Sequence, residues 1–393
     1  MGRFLPQRTA RLRWHVTMML TSAARRSELP SGVELFRDDA AEWDACERSL
    51  AAAGVRLPLP HRAVWTLARK GVEALRVLLR GPDGSCAGAF VIQAGLSRAL
   101  PGFRVLRVER FGEALPRGLW AAAVDALMEV ARRERRVLHL TVEVFSRDSE
   151  ARSRLGDLLA GAGFVRAPTA RNWSTTLVLD LQPSETKLFA SFSVSARRGI
   201  RSVQQHPLQV RVVDDCRLGD RLEALSRETR ERTGGRYEAL WDWAGVIELS
   251  RRVPDAARLV GLFRTDREGP DALLGFSWGW WNGQSVSYFA GGSSRPSDLG
   301  RLHIGYPLMW DLIVWAKRAG ATWFDFGGVT AGTAGSGDPL GGISDFKRLF
   351  SKERAEVAED WVLEPRKLVA RLARLVRSGA AWLSLVAPGS ARL

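Results

Sequence analysis

The chain has 393 residues, 46% of them apolar, with 58 Lys and Arg against 43 Asp and Glu and a formal charge of +15. That length and apolar content provide for two or three domains with real cores, and they exclude general disorder and a disulfide-stapled miniprotein. Cys46, Cys86 and Cys216, widely spaced and beside no histidine cluster, fit a reduced cytosolic protein without a zinc site.

Residues 1–30 read as an extension outside the fold. Arg3, Arg8, Arg11 and Arg13 before an apolar stretch weakly imitate a signal peptide, but His15 and the threonines break that stretch, and Met18 or Met19 offers an alternative start. From Val33 the pattern is mixed α and β. It predicts a helix over 40–53, strands over 74–79 and 87–93 around a turn at Pro82, Asp83 and Gly84, and a strand over 103–109. Leu119, Val124, Leu127 and Val130 share one helix face ahead of a strand over 137–144. A helix over 151–162 stops at Gly163, and a strand over 175–181 completes a first domain, 31–181.

The second half repeats this order in a domain over 182–364. Helices are predicted over 185–205, 218–232 and 240–252, followed by strands over 258–264, 272–281 and 284–290. The last two strands flank Asn282 and Gly283, so the uncharged run 272–294 reads as a buried hairpin and not as a membrane span. A helix over 304–319, stopped by Gly320, precedes a strand over 322–326 that opens into a glycine-rich loop, 327–342. Two such halves predict an α/β (α+β) protein of two similarly folded domains, each a mixed sheet flanked by helices. In the tail, 365–393, Leu368, Val369, Leu372, Leu375 and Val376 share one helix face and Lys367, Arg371 and Arg374 another. Such a basic amphipathic helix either lies on a membrane surface or docks on the protein's own core.

Almost all of the positive charge is arginine; Lys70, Lys187, Lys317, Lys347, Lys352 and Lys367 are the only lysines. A GC-rich genome accounts for arginine over lysine but not for the surplus over acids. A field of this sign attracts phosphates, whether of RNA, nucleotide-linked precursors, coenzyme A or an anionic membrane.

Three groups of residues are candidates for chemistry. Arg197 and Arg201 stand one helical turn apart, off the apolar stripe of Leu188, Phe189, Phe192, Ala196, Ile200 and Val203, and with Arg198 form either a phosphate fork or a solvated basic face. Gly199 beside them marks a close approach by a ligand or by a neighbouring part of the chain. Thr229, Arg232, Arg236 and Tyr237 gather at a helix end by Gly234 and Gly235, where an arginine either binds an anion or neutralises helix carbonyls. The third group places Asp325 at a strand end before a mobile glycine loop, and Asp345, Phe346 and Lys347 on the short helix after it. Lys347 is suited to stabilise an oxyanion or hold a phosphate, and Asp325 or Asp345 to take a proton from an attacking amine. The five histidines are scattered, and no serine elbow, Walker loop or dinucleotide fingerprint is present, which favours direct transfer over a covalent intermediate and gives no metal site.

Three stretches resemble the FemAB and FemX family of peptidoglycan bridge aminoacyltransferases, which are built from two GNAT-like acyltransferase domains. They are TTLVLDLQPSETKLFASFSVSARRGIRSV from Thr175, like the family's interdomain strand and R-x-x-I-R helix; Thr229 to Arg232, like its T-x-x-R motif; and WFDFGG from Trp323 with GISDFKRLF from Gly342, like its Y-D-x-G-G and G-x-x-x-F-K-x-x-F signatures. The resemblance implies two tandem GNAT-like domains and attack by an amine of an anionic cell-envelope (peptidoglycan) precursor on an activated acyl group, such as the ester of an aminoacyl-tRNA. It places Lys347 at the transition state, Arg232 on the precursor phosphate and, more weakly, Arg197 and Arg201 at the substrate. A related GNAT branch takes acyl-CoA as donor, but RLHIG from Arg301 does not reproduce its pyrophosphate loop, so aminoacyl-tRNA is placed first and acyl-CoA second. The expected setting is cytoplasmic, with peripheral contact at the inner membrane through the tail. A non-catalytic RNA- or membrane-binding protein on the same fold is the third reading.

Overall fold

The computed structural model describes residues 27–375 apart from 29–32, 38–39, 70, 82, 168–173, 234–240, 301, 339 and 374. The extension at 1–26, Tyr237 with its neighbours Gly234, Gly235 and Arg236, and the tail beyond Leu375 lie outside the described residues.

Among the described residues two mixed sheets carry the fold. The first has eight strands in the spatial order Ser27–Glu28, Val33–Arg37, Glu73–Arg80, Cys86–Leu96, Arg104–Phe111, Val137–Phe145, Ala358–Leu363 and Val165–Arg166. The second has seven: Arg354–Glu356, Thr175–Asp180, Trp323–Gly328, Ser285–Ser293, Leu273–Asn282, Ala257–Arg264 and Leu208–Val212. Each contains one parallel pair, Arg104–Phe111 with Val137–Phe145 and Ser285–Ser293 with Trp323–Gly328, and each parallel connection runs through a 14-residue helix. A parallel pair needs such a crossover, so the two helices, Trp120–Arg133 and Gly305–Arg318, mark the repeated unit.

Local chemistry explains the elements. Helix Trp120–Arg133 turns Ala123, Val124, Leu127, Val130 and Ala131 into the first core, and Arg132 and Arg133 meet the negative end of its dipole. Asp148 caps helix Ser149–Gly161 by accepting from the Glu150 and Ala151 amides, and Gly163, at φ 91°, lets the chain turn back so that the Phe164 amide closes on the Leu159 carbonyl. Gly283, at φ 53°, makes the tight turn of the expected hairpin, in which every residue from Leu273 to Asn282 is buried.

The structure departs from the sequence reading in three places. Strand Thr175–Asp180, expected to close the first domain, pairs with Trp323–Gly328 in the second sheet, while Ala358–Leu363, expected in the second domain, pairs with Val137–Phe145 in the first. The boundaries at 181 and 364 therefore do not separate the sheets: the chain trades a strand in each direction, a long-range choice that local pattern does not encode. Where they meet, Phe145 stacks on Trp323 at 6.5 Å, with Val178, Val357 and Ala358 buried around them. The helix expected over 185–205 is two, Glu185–Ser191 and Val194–Ser202, because Phe192 is extended and the Ser193 side chain accepts from the Ala196 amide to start the second. Third, the tail helix, over 367–373, docks Ala370 and Ala373 on Leu138, while Leu368 and Leu372 of the expected apolar face point outward, 78% and 53% exposed.

Candidate active site

The parallel pairing of Ser285–Ser293 with Trp323–Gly328 stops after Ser287 opposite Asp325, and the two strands part. Lys347, on helix Gly341–Arg348, reaches into this opening. Its Nζ donates to the Gly328 carbonyl at 2.7 Å and lies 6.0 Å from the Tyr288 ring centre. Gly327 sits at φ 73°, in the left-handed region that side chains rarely adopt, which is what favours glycine here; a Cβ on it would make only ordinary contact with Lys347 Nζ and the Tyr288 carbonyl. The lysine is 6% exposed, and burial pulls its pKa down to about 8, with the Asp325 carboxylate opposing part of that fall. Burial likewise pushes the Tyr288 phenol up to about 12.

Asp325 is buried with both oxygens engaged: Oδ1 accepts from the Gly327 amide at 2.7 Å and Oδ2 from the Ser287 hydroxyl at 3.1 Å. That hydroxyl in turn accepts from Arg110 Nη2 at 2.7 Å, and the same nitrogen stands 3.9 Å from Asp325 Oδ2. Arg110 comes from the first domain. It sits at a break in the parallel register at φ 52°, its amide donates to Glu143, its guanidinium pairs with Glu113 at 3.1 Å, and its Cζ lies 3.8 Å over the Phe145 ring. Burial raises the pKa of Glu113, and Arg110 opposes the rise. A buried polar chain therefore runs from the first domain through Arg110, Ser287 and Asp325 toward Lys347. Among the described residues no histidine bonds to Ser287, and its hydroxyl is spent on this chain, so it is not set up as a nucleophile.

The loop between strand and helix is braced, contrary to the expectation of mobility. Thr330 N–H donates to Ser344 Oγ at 3.0 Å, Leu340 N–H to Asp338 Oδ1 at 2.8 Å, and Arg348 to the carbonyls of Thr330 and Gly332. Asp345 belongs to this bracing: it accepts from the Ala334 amide and pairs with Arg348, both at 2.8 Å. Phe346 joins an aromatic bridge, 5.6 Å from Tyr306 and 5.4 Å from Phe350.

The arginines named from the sequence are elsewhere. Arg197 Nη1 donates to the Ala190 and Phe192 carbonyls at 2.6 and 2.7 Å, closing the end of the preceding helix. Arg201 lies 5.1 Å over Phe189, and with Arg197 and Arg198 it lines an open pocket of about 370 Å³. Gly199 makes room for a neighbour and not for a ligand, as a Cβ there would meet the Tyr306 ring at 2.4 Å. Thr229 and Arg232 latch a strand end: the Ser293 amide donates to Thr229 Oγ1 at 2.8 Å, and Arg232 Nη1 donates to the Ser293 carbonyl at 2.9 Å. Desolvation, then the Arg295 charge, lowers the Arg232 pKa. Among the described residues, none of these arginines bonds to Lys347 or Asp325. Arg110, Ser287 and Tyr288 were not legible as site residues: the irregular ERFG stretch that holds Arg110 resembles any bulge, and Ser287 and Tyr288 read as ordinary positions of a hairpin strand.

Residues 190–348 match the family of acetyltransferase (GNAT) domains. The chain is similar in structure to FemX, with 15% identity and a TM-score of 0.63 over 88% of this chain and 99% of that one. The protein has a FemX-like tandem GNAT fold. It is also similar to L-PGS from Bacillus licheniformis, at 14% identity and a TM-score of 0.51, covering 85% of this chain and 96% of that one. By sequence, no curated protein matches. The matched GNAT segment contains Lys347, Asp325 and the parting strands. No cluster of His, Cys, Asp and Glu able to hold a metal occurs among the described residues.

Proposed function

We propose that this protein is a cytoplasmic N-acyltransferase that moves an aminoacyl group from an aminoacyl-tRNA to an amine of an anionic cell-envelope precursor. The observation that carries the reading is Lys347, a buried cation held against Gly328 where two parallel strands part, with no nucleophile activated beside it. At neutral pH its ammonium remains largely protonated and supplies positive charge, in a medium of low dielectric, to the oxygen of a tetrahedral intermediate. Asp325 is the carboxylate we assign to the amine proton, because it shares the field of Lys347 while Asp345 is committed to Arg348; each Asp325 oxygen accepts one bond from the protein and keeps a lone pair. Both substrates are polyanions, in keeping with the +15 charge.

Acyl-CoA is the second donor, favoured by the match to acetyltransferase domains. Against it, RLHIG from Arg301 does not reproduce the pyrophosphate loop of the acyl-CoA branch. The test is titration of purified protein with total charged tRNA and separately with acetyl-CoA, at two salt concentrations, with uncharged tRNA as competitor and Lys347→Ala as control. Saturable preference for charged tRNA is expected. Binding of acetyl-CoA alone would replace the donor, and binding of neither would overturn the acyltransferase reading.

A further inference from the structure

The helix over 367–373 has two unlike faces. Ala370 and Ala373, 3% and 0% exposed, press on Leu138 with Phe103, Val105, Ala99 and Leu100 around them, which fixes how the helix is rotated against the first sheet. Small residues face inward, and the leucines face out. Leu368, Leu372 and Leu375, at the i, i+4, i+7 spacing of one helix stripe, are 78%, 53% and 69% exposed. Three exposed leucines in one stripe are not a scatter of single apolar residues; a folded protein keeps such a stripe where something apolar covers it.

The charges around the stripe say what covers it. Lys367 and Arg371 are exposed beside the leucines on the same outward side, at the angle where a side chain of that length can lay its stem on an apolar layer and keep its cation at the polar boundary. Arg135 and Arg136 are exposed just ahead of strand Val137–Phe145, which carries Leu138, and the acids there, buried Glu134 and partly exposed Glu73, are both paired with Arg104. From 365 to 393 the sequence holds Arg366, Lys367, Arg371, Arg374, Arg377 and Arg392 and no Asp or Glu. An apolar stripe rimmed by cations, with no carboxylate on its helix, complements a surface that is apolar beneath and anionic at its boundary.

We infer that this face of the first domain docks on an anionic lipid bilayer, with Leu368, Leu372 and Leu375 entering the headgroup boundary and Lys367 and Arg371 on the lipid phosphates. Only one helix face inserts, so attachment is peripheral, weak and reversible, and it falls with salt. The site would then work beside the membrane while its lysine stays on the other domain.

The experiment is co-sedimentation of the full chain with vesicles of phosphatidylcholine and phosphatidylglycerol, against vesicles of phosphatidylcholine alone. The expected result is binding to the anionic vesicles only, weakened at least about tenfold by Leu368→Ser with Leu372→Ser, and similarly by Lys367→Glu with Arg371→Glu or by high salt. All four residues are exposed, so folding is expected to survive, and circular dichroism with thermal melting verifies it; Leu375→Ser alone is the milder variant. Equal sedimentation with both vesicles, or none, overturns the inference. So does loss with the charge reversals but not the leucine variants, particularly if tRNA competes, which would make this an RNA-binding face. Self-association in light scattering that disappears with the leucine variants would make it a contact between two copies and would also overturn it. None of these outcomes depends on the acyl donor.

Discussion

Replacing Lys347 by methionine separates the electrostatic cost of the site from its use. The lysine pKa falls from the ordinary 10.5 to about 8 because burial penalises the ammonium more than Asp325 supports it. At 1.36 kcal/mol per pH unit, the fold works against the charged form by about 3 kcal/mol. The unfolded chain binds the proton more tightly, so below about pH 8 this cost is fully present, and it disappears as pH rises from about 8 to 10.5. The stability of the wild type relative to Lys347→Met should therefore increase by about 3 kcal/mol between about pH 7 and about pH 11, whatever constant amount the lost Gly328 hydrogen bond adds. Urea unfolding of both proteins at several pH values measures this difference directly, since every other titrating group cancels to first order. Transfer activity should move the opposite way, declining as pH passes about 8 and the ammonium is lost. A stability difference independent of pH would refute the reasoning by showing that Lys347 is not held as a buried cation.

Arg110→Met removes the guanidinium from a buried chain and leaves Asp325 and Glu113 without it, so we expect a loss of about 3–5 kcal/mol in urea unfolding. Arg232→Ala should cost about 0.5–1.5 kcal/mol, since the Ser293 carbonyl loses the guanidinium but keeps the Thr229 hydroxyl as donor; unchanged stability with weakened binding of a phosphorylated precursor would instead make it a ligand contact. Gly245→Ala would place a Cβ 1.8 Å from the Leu67 carbonyl oxygen. Backbone cannot yield there as a side-chain tip does, and destabilisation of about 3 kcal/mol or more is expected in the same assay.

Elements set by neighbours in sequence were the legible ones. Asn282 and Gly283 gave the hairpin, Gly163 and Gly320 the helix ends, and Gly327 with Lys347 the loop and helix at the parting strands, because turn and cap chemistry acts over a few residues. Ser193 carried a readable signal that the apolar stripe from Leu188 to Val203 concealed: both halves of the broken helix bury their faces in one core, so the periodicity runs through the break. The arginines misled in a different way. A guanidinium that caps a helix, as at Arg197, and one that binds a phosphate look alike in sequence, since both meet oxygen; only the position of the Ala190 and Phe192 carbonyls distinguishes them.

The traded strands change what the two domains are. Helix Gly341–Arg348 carries Lys347, and the chain that follows it supplies Arg354–Glu356 to the second sheet and Ala358–Leu363 to the first. Arg110 returns the connection, reaching from the first sheet to Ser287 beside Asp325. The helix of the lysine is thus tied to both sheets by the chain leading out of it, while the Asp325 carboxylate near the lysine is held by a charge entering from the other domain. On the proposed function, the first domain would then position chemistry in the second rather than serve only as a second binding module. The consequence is testable: a fragment over 174–356, which holds all seven described strands of the second sheet, should still lack a formed site, because removing Arg110 and Ala358–Leu363 exposes Phe145's partner Trp323 and takes the Arg110 guanidinium from Ser287 and Asp325, leaving Lys347 alone beside the carboxylate. If that fragment folded and kept the depressed Lys347 pKa, the interdomain chain would be ornamental and the site would belong to the second domain alone.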